Sequence, residues 1–260
     1  MRLPLGGKRE LGQHFLADEN IVAVAGRMAE LGPGDVVLEV GPGLGVLTTH
    51  LADRVRLVHA IEIDPSLEPG LRERIGARRN VELVFADALR HALAKLDPPP
   101  TKFVSNLPYN VATPLVAESL DGLPSLELWC VMVQREVAER FFSPPGNRDY
   151  GAVSVLVQLT AQRTAFHPVS RTVFRPPPNV DSALVAFRRR KVWGPEFKWI
   201  KAVVQGSFAH RRKTLVNSLA LSGFERERVE RVVADLNLPG DIRAERLPAG
   251  VFVPISERLG

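Results

Sequence analysis

An unbroken apolar run, Val36 to Val40, passes directly into Gly41-Pro42-Gly43-Leu44-Gly45 and then into a second apolar pattern, Val46 to Leu51. A run without polar alternation suits a strand buried on both faces. Glycines crowded at its end let the backbone take positive φ and let another group approach closely. A buried strand turning tightly into a helix needs parallel partners, and the chain supplies them. Val55–Ile63, Val81–Ala86, Phe103–Asn106, Leu126–Val133, Ser154–Ala161 and Ala183–Arg188 read as further strands. Asp18–Leu31, with Asp18 as N-cap and Gly32 as stop, reads as a helix, as do Leu67–Ile75, Pro114–Leu120 and Glu136–Phe142. This alternation predicts an α/β fold, a doubly wound parallel sheet covered on both faces. Beyond Arg190 the strands stop, and Trp199–Ala209, Lys213–Ser222 and Arg226–Leu236 are helical in pattern. The expected division is a sheet domain over 1–190 and a small all-helical C-terminal domain over 191–260.

At 260 residues and 45% hydrophobic content the chain can bury a substantial core. Mean hydropathy is −0.01, and no stretch of about eighteen uncharged apolar residues is present, so no membrane span is expected. Met1 to Arg9 holds Arg2, Lys8 and Arg9 with no apolar run behind them, which does not fit a secretory signal. The single cysteine, Cys130, lies inside an apolar run and reads as a buried, inert thiol; no metal site is expected, and a cytoplasmic protein fits. Net charge is +5, and arginine far outnumbers lysine among the 34 basic residues. That balance favours polyanionic partners such as nucleic acid.

The glycine spacing is G-x-G-x-G rather than the G-x-G-x-x-G of dinucleotide enzymes, and no Gly-Lys-Ser/Thr follows to grip phosphate. Glu62 ends the second strand, where a carboxylate can accept the hydroxyls of a ribose. Asp87 ends the third, where it can accept an adenine amine or simply cap the next helix. Three consecutive strand ends carrying glycines, Glu and Asp resemble the S-adenosylmethionine site of Rossmann-like methyltransferases.

Ser105-Asn106-Leu107-Pro108-Tyr109 ends the fourth strand and resembles the (D/N/S)-(P/L/I)-P-Y motif of amino methyltransferases. An exocyclic adenine amine is a poor nucleophile because its lone pair is delocalised into the ring. The Asn106 side-chain oxygen and the Leu107 or Pro108 carbonyl are acceptors that can hold its two N–H bonds and stabilise the charge developing on nitrogen. Pro108 stiffens the turn, and Tyr109 offers a stacking face for a base. A pyrimidine C5 methylase would need a nucleophilic cysteine, which the motif lacks.

The chain as a whole is similar to the small-subunit rRNA adenine N6,N6-dimethyltransferases, the KsgA type. The similarity runs through Leu11-Gly12-Gln13-His14-Phe15-Leu16, Glu39-Val40-Gly41-Pro42-Gly43, Glu62-Ile63-Asp64, Asn106-Leu107-Pro108-Tyr109 and Gln134-Arg135-Glu136-Val137. It continues through Asp149-Tyr150-Gly151, Phe174-Arg175-Pro176-Pro177-Pro178-Asn179-Val180-Asp181-Ser182, His210-Arg211-Arg212-Lys213-Thr214-Leu215 and Arg243-Ala244-Glu245. The resemblance implies cofactor contacts at His14, Leu16, Gly41, Glu62, Asp87 and Asn106, with Gln13, Gly43, Ile63 and Ala88 beside them. His14 stands where some relatives carry Asn, and both can donate a hydrogen bond. It implies that Tyr109 and Phe174 sandwich the target base, although Phe174 alone would read as core. It implies dimethylation of two adjacent adenines in a hairpin loop near the 3′ end of 16S rRNA, on the 30S subunit, by a monomer. Arg188-Arg189-Arg190-Lys191 and His210-Arg211-Arg212-Lys213 are basic runs suited to RNA phosphates, the second expected to open a helix, or else simply solvated faces. Two other readings stay open: a 23S rRNA adenine dimethylase of the macrolide-resistance type, and an assembly factor acting mainly by binding the subunit.

Overall fold

The apolar runs pair into one sheet, because each is too apolar to leave either face in water. The computed structural model describes residues 13–260. Leu11, Gly12 and the basic positions Arg2, Lys8 and Arg9 lie outside the described residues. In chain order the elements are β1 (Phe15–Leu16), α1 (Glu19–Met28), β2 (Val36–Val40), α2 (Val46–Ala52), β3 (Leu57–Glu62), α3 (Glu68–Ile75), β4 (Val81–Phe85), β5 (Lys102–Asn106), α4 (Ala112–Gly122) and β6 (Leu128–Gln134). There follow α5 (Arg135–Phe141), α6 (Ala152–Thr160), β7 (Ala161–Val169), β8 (Phe174–Arg175), β9 (Ser182–Arg189), α7 (Glu196–Ala209), α8 (Leu215–Leu221), α9 (Arg226–Asp235) and α10 (Phe252–Leu259).

The main sheet has seven strands in the order β4-β3-β2-β5-β6-β9-β7. Strands β2 to β6 run parallel, but β9 pairs antiparallel with β6, from Leu128↔Arg188 to Gln134↔Ser182. The sheet is therefore mixed rather than wholly parallel. From β2 the chain winds outward through β3 and β4, then returns to β5 on the other side. The order reverses between β2 and β5, and a crevice opens there at the carboxyl ends of the strands. These two strands are in register only at Val37↔Lys102 and Leu38↔Phe103. Where they part, the buried Ser105 hydroxyl donates to the Val40 carbonyl (2.5 Å) and accepts the Val40 N–H (3.2 Å). Asp18 caps α1 as expected, accepting the Asn20 N–H at 2.8 Å.

The chain forms two compact units: the described residues up to Ala138 with Gln162–Arg189, and Glu139–Ala161 with Arg190–Gly260. The second unit thus takes in an internal segment as well as the C-terminal residues, and a single cut after residue 190 does not describe it. The internal segment contains α6, which the sequence reading took for a strand at Ser154–Ala161. Val153, Val155, Leu156 and Val157 are all buried, so the helix is enclosed around most of its circumference. A helix buried all round shows no 3.6-residue alternation, and its run of valines mimics a strand. Helix α10 was not anticipated, although Phe252, Ile255, Ser256 and Leu259 form one buried stripe.

Candidate active site

The turn after β2 is shaped by left-handed glycines. Gly41 has φ +75 and Gly43 φ +57. A Cβ on Gly41 would lie 3.3 Å from Pro108 Cδ, and one on Gly43 would lie 3.0 Å from Phe15 Cδ1. Only glycine lets this backbone pass so close to the β5 turn on one side and β1 on the other. Glu62, at the end of β3, holds the turn from below. Its Oε2 accepts the Gly43 N–H (3.0 Å) and its Oε1 the Asp64 N–H (2.9 Å). Burial pushes the Glu62 carboxyl above its ordinary range, against the opposing pull of these N–H donors. The Ile63 N–H is a third backbone donor to the same carboxylate.

At the end of β5, the Asn106 Nδ2 donates to the His14 carbonyl at 3.2 Å, and among the described residues Oδ1 has no hydrogen-bond partner. The Leu107 N–H is held by the Met132 carbonyl at 3.0 Å, and the Pro108 carbonyl accepts the Val111 N–H at 3.1 Å. Of the two backbone acceptors considered, the Leu107 carbonyl is thus the less engaged. The Tyr109 hydroxyl lies 2.6 Å from the Ser182 hydroxyl, and its ring centroid lies 5.5 Å from that of His14. Burial raises the Tyr109 phenol above its ordinary value, so it stays neutral.

These groups face one cavity of about 1030 Å³, part of it open to solvent. Gln13, His14 and Leu16 line it from the N-terminal segment, Gly41 and Gly43 from the β2 turn, and Glu62 and Ile63 from the end of β3. Asp87 and Ala88 contribute from beyond β4, and Asn106, Leu107, Pro108 and Tyr109 from the β5 turn. Asp87 also caps the turn that follows it, accepting the Leu89 N–H at 3.0 Å, as the capping reading expects.

One wall residue escaped selection as a site residue. Glu39, on β2, is 1% exposed and lines the cavity, with the Thr48 hydroxyl beside its carboxyl; among the described residues its Oε2 has no well-formed hydrogen bond. Burial pushes its carboxyl up to about 8, against the pull of the Thr48 hydroxyl and with a smaller push from the Glu62 charge. An acid inside an apolar strand immediately before a glycine turn was the available signal, since a buried carboxylate without a partner is costly.

Phe174 is not on the cavity. It is fully buried, pairs across β1–β8 with Leu16, and packs in the core with Val22 and Val169. Strand alternation turns Phe174 inward and leaves Arg175 exposed. Of the two aromatic residues, Tyr109 lines the cavity and Phe174 does not.

The basic runs also divide. Arg189 is withdrawn from any phosphate: its guanidinium donates to the carbonyls of Leu126 (2.5 Å), Leu120 (2.9 Å) and Leu123 (3.0 Å), and it stacks over Trp129 at 4.7 Å. It satisfies carbonyls at and after the end of α4, groups a helix terminus otherwise leaves unpaired. Arg188 pairs with Glu30 at 2.5 Å. Arg211 donates to the carbonyls of Arg148 (2.7 Å) and Tyr150 (3.2 Å). Arg190, His210, Arg212 and Lys213 are exposed. The second run does not open a helix; it occupies the turn between α7 and α8, where Thr214 is the N-cap. Among the described residues there is no cluster of metal-ligating side chains, and no helix is long and apolar enough to cross a membrane.

A sheet whose order reverses beside a glycine turn, with an amine-methylase tetrapeptide at the reversal, places the protein among the Rossmann-like S-adenosylmethionine-dependent methyltransferases. More narrowly, the chain belongs to the ribosomal RNA adenine dimethylase family, whose model matches residues 5–259. It is 47% identical to the ribosomal RNA small subunit methyltransferase A of Rubrobacter xylanophilus, over 97% of this chain and 95% of that one. Its identity to the enzyme of the same name from Thermobifida fusca is 43%, over 96% and 89%. Among solved structures it resembles a dimethyladenosine transferase from Plasmodium falciparum in fold, with TM-score 0.77 and 24% identity over 93% of this chain and 96% of that one. It also resembles the 23S rRNA methyltransferase ErmE, with TM-score 0.66 and 32% identity over 94% and 99%.

Proposed function

We propose that this protein dimethylates N6 of two adjacent adenines in the 3′-terminal hairpin loop of 16S rRNA, acting on the 30S subunit in the cytoplasm as a monomer. Support for the small-subunit target comes from the higher identity to the small subunit methyltransferases, 47% and 43%, than to the 23S enzyme, 32%. The observation that carries the chemistry is the Asn106 amide. With Nδ2 tied to the His14 carbonyl, Oδ1 is left as a fixed acceptor at the edge of the cavity.

The cavity fits S-adenosylmethionine. The glycine turn brings bare backbone to the cavity wall, Glu62 and Asp87 are acceptors for the ribose and the adenine amine, and the half-exposed Ile63 and Leu89 give an apolar rim for its base. The buried Glu39 carboxyl, with one oxygen lacking a well-formed hydrogen bond among the described residues, suits a cationic ligand. When bound, this cofactor supplies an electrophilic methyl group on a sulfonium.

The chain's own residues prepare the acceptor. Asn106 Oδ1 and the Leu107 carbonyl accept the two N–H bonds of the target amine, drawing its lone pair out of conjugation. The same oxygens stabilise the positive charge that builds on nitrogen. Asn106 is neutral and takes no proton, so the proton leaves to solvent after the new N–C bond has formed. Tyr109 stacks on the flipped base, an interaction of roughly 1–3 kcal/mol. The exposed Arg190, His210, Arg212 and Lys213 are the candidates for phosphate contacts.

The test is mass spectrometry of rRNA after incubating purified 30S subunits with labelled methyl donor. Two adjacent dimethyladenosines near the 16S 3′ end are expected; methylation of 23S RNA alone would replace this reading with the macrolide-resistance one. Asn106→Ala should lower turnover by about 10²-fold or more while still binding 30S subunits. If that variant restored normal subunit maturation to a deletion strain, binding rather than methylation would be the primary role.

A further inference from the structure

We propose that Ser182 is a positioning residue for catalysis, fixing the Tyr109 ring as the surface on which the target base stacks; this rests on the function proposed above. The direction of β9 makes the arrangement available. Because β9 runs antiparallel to β6, its first residue arrives at the edge where the parallel strands end, with Ser182 opposite Gln134. A parallel strand would deliver its last residue there instead.

Ser182 is anomalous where it lies. It is fully buried, and the five residues after it, Ala183 to Phe187, are apolar and no more than 2% exposed. A hydroxyl in such a stretch lowers stability unless it finds a partner. Its only side-chain partner among the described residues is the Tyr109 hydroxyl, 2.6 Å away, and either oxygen can be the donor. The bond therefore ties a fully enclosed strand residue to a half-buried ring at the mouth of the cavity.

The mechanics of a phenol define what this bond does. The hydroxyl lies on the axis about which the ring flips, so holding it leaves the flip free but restrains the swing about χ1. The flip is restrained by the His14 imidazole, 5.5 Å away and tilted by 32°. His14 is itself anchored, with Nδ1 2.9 Å from the Pro176 carbonyl. Ser182 thus sets where the ring lies, and His14 sets how it is turned. A base stacked on a ring that swings would carry its amine away from Asn106 Oδ1, and small displacements of reacting groups are expensive in rate.

The experiment is a double-mutant cycle on methylation of 30S subunits, joined to fluorine NMR of protein labelled with 3-fluorotyrosine. The chain has only two tyrosines, so Tyr109→Phe assigns the signals. Ser182→Ala removes a buried hydroxyl from apolar surroundings and should fold with an unchanged midpoint of thermal unfolding. It should lower kcat about three- to tenfold, the loss expected for one hydrogen bond, with cofactor affinity unchanged. Tyr109→Phe should do the same, and the double variant should be no slower than the slower single one. The Tyr109 fluorine signal should move in Ser182→Ala while that of Tyr150 stays. An unchanged kcat in Ser182→Ala, or losses that multiply in the double variant, would overturn the proposal. Wild-type protein inactive on both ribosomal subunits would overturn the proposed function instead. In that case an unmoved Tyr109 signal in Ser182→Ala overturns the positioning claim as well, and a moved one retains it as a property of the site.

Discussion

The guanidinium of Arg189 is enclosed by three carbonyls and an indole, whereas Arg212, in a run of similar composition, lies open to solvent. Burial lowers the Arg189 pKa to about 10, while the carbonyls of Leu126, Leu120 and Leu123 accept from its guanidinium. Its charge organises the end of α4 and the entry to β6. The charge of Arg212 is free to meet a polyanion. A row of cations along a chain is therefore not yet a cationic surface, because strand alternation and helix ends decide which of them face water.

The sharpest way to break this comparison is Arg189→Ala. It leaves three carbonyls without their donor, and a loss of about 3–5 kcal/mol is expected in chemical denaturation, with no change in the salt dependence of RNA binding. An unchanged unfolding midpoint would mean that the enclosed charge does no structural work.

Glu39 tests the opposite case, a buried acid with no cation beside it among the described residues. Burial holds its carboxyl at about 8 in the folded chain against an ordinary 4.5, so between those pH values the folded state holds more protons than the unfolded state. Stability therefore falls as pH rises through that window. Glu39→Gln should raise the thermal midpoint at pH 8 by an amount corresponding to about 4 kcal/mol and leave it nearly unchanged at pH 4.5. Equal shifts at both pH values would contradict the buried-acid account.

Arg212→Ala with Lys213→Ala should leave stability alone and weaken RNA binding about tenfold, reducing the slope of log affinity against log salt by roughly two. A slope equal to that of the wild type would remove these residues from the RNA contact. The smallest effect is expected for Arg188→Ala. Its pair with Glu30 is largely exposed, so a change of no more than about 1 kcal/mol should appear in the same denaturation assay.

Much of the cavity was legible from local pattern alone. Gly41, Glu62, Asp87 and Asn106 each end or follow a strand, and parallel strands deliver their ends to one edge. Finding the strands therefore found these walls of the cavity. Phe174 and Arg189 were not legible, because the first is read from which side of a two-residue ribbon faces the core and the second from carbonyls 63 to 69 positions away. Helix α6 failed for a related reason: burial on all sides erased the periodicity that distinguishes helix from strand.

The amino-acid order by itself determined the glycine turn, the succession of strand ends and the chemistry of the Asn-Leu-Pro-Tyr corner, since these depend on φ preferences and on neighbours a few residues apart. Only the tertiary structure decided that β9 runs backwards, that Ser182 meets Tyr109, and which arginines are enclosed. Those outcomes depend on contacts between segments far apart in the chain, where the identity of a residue says what it can do but not what it will touch.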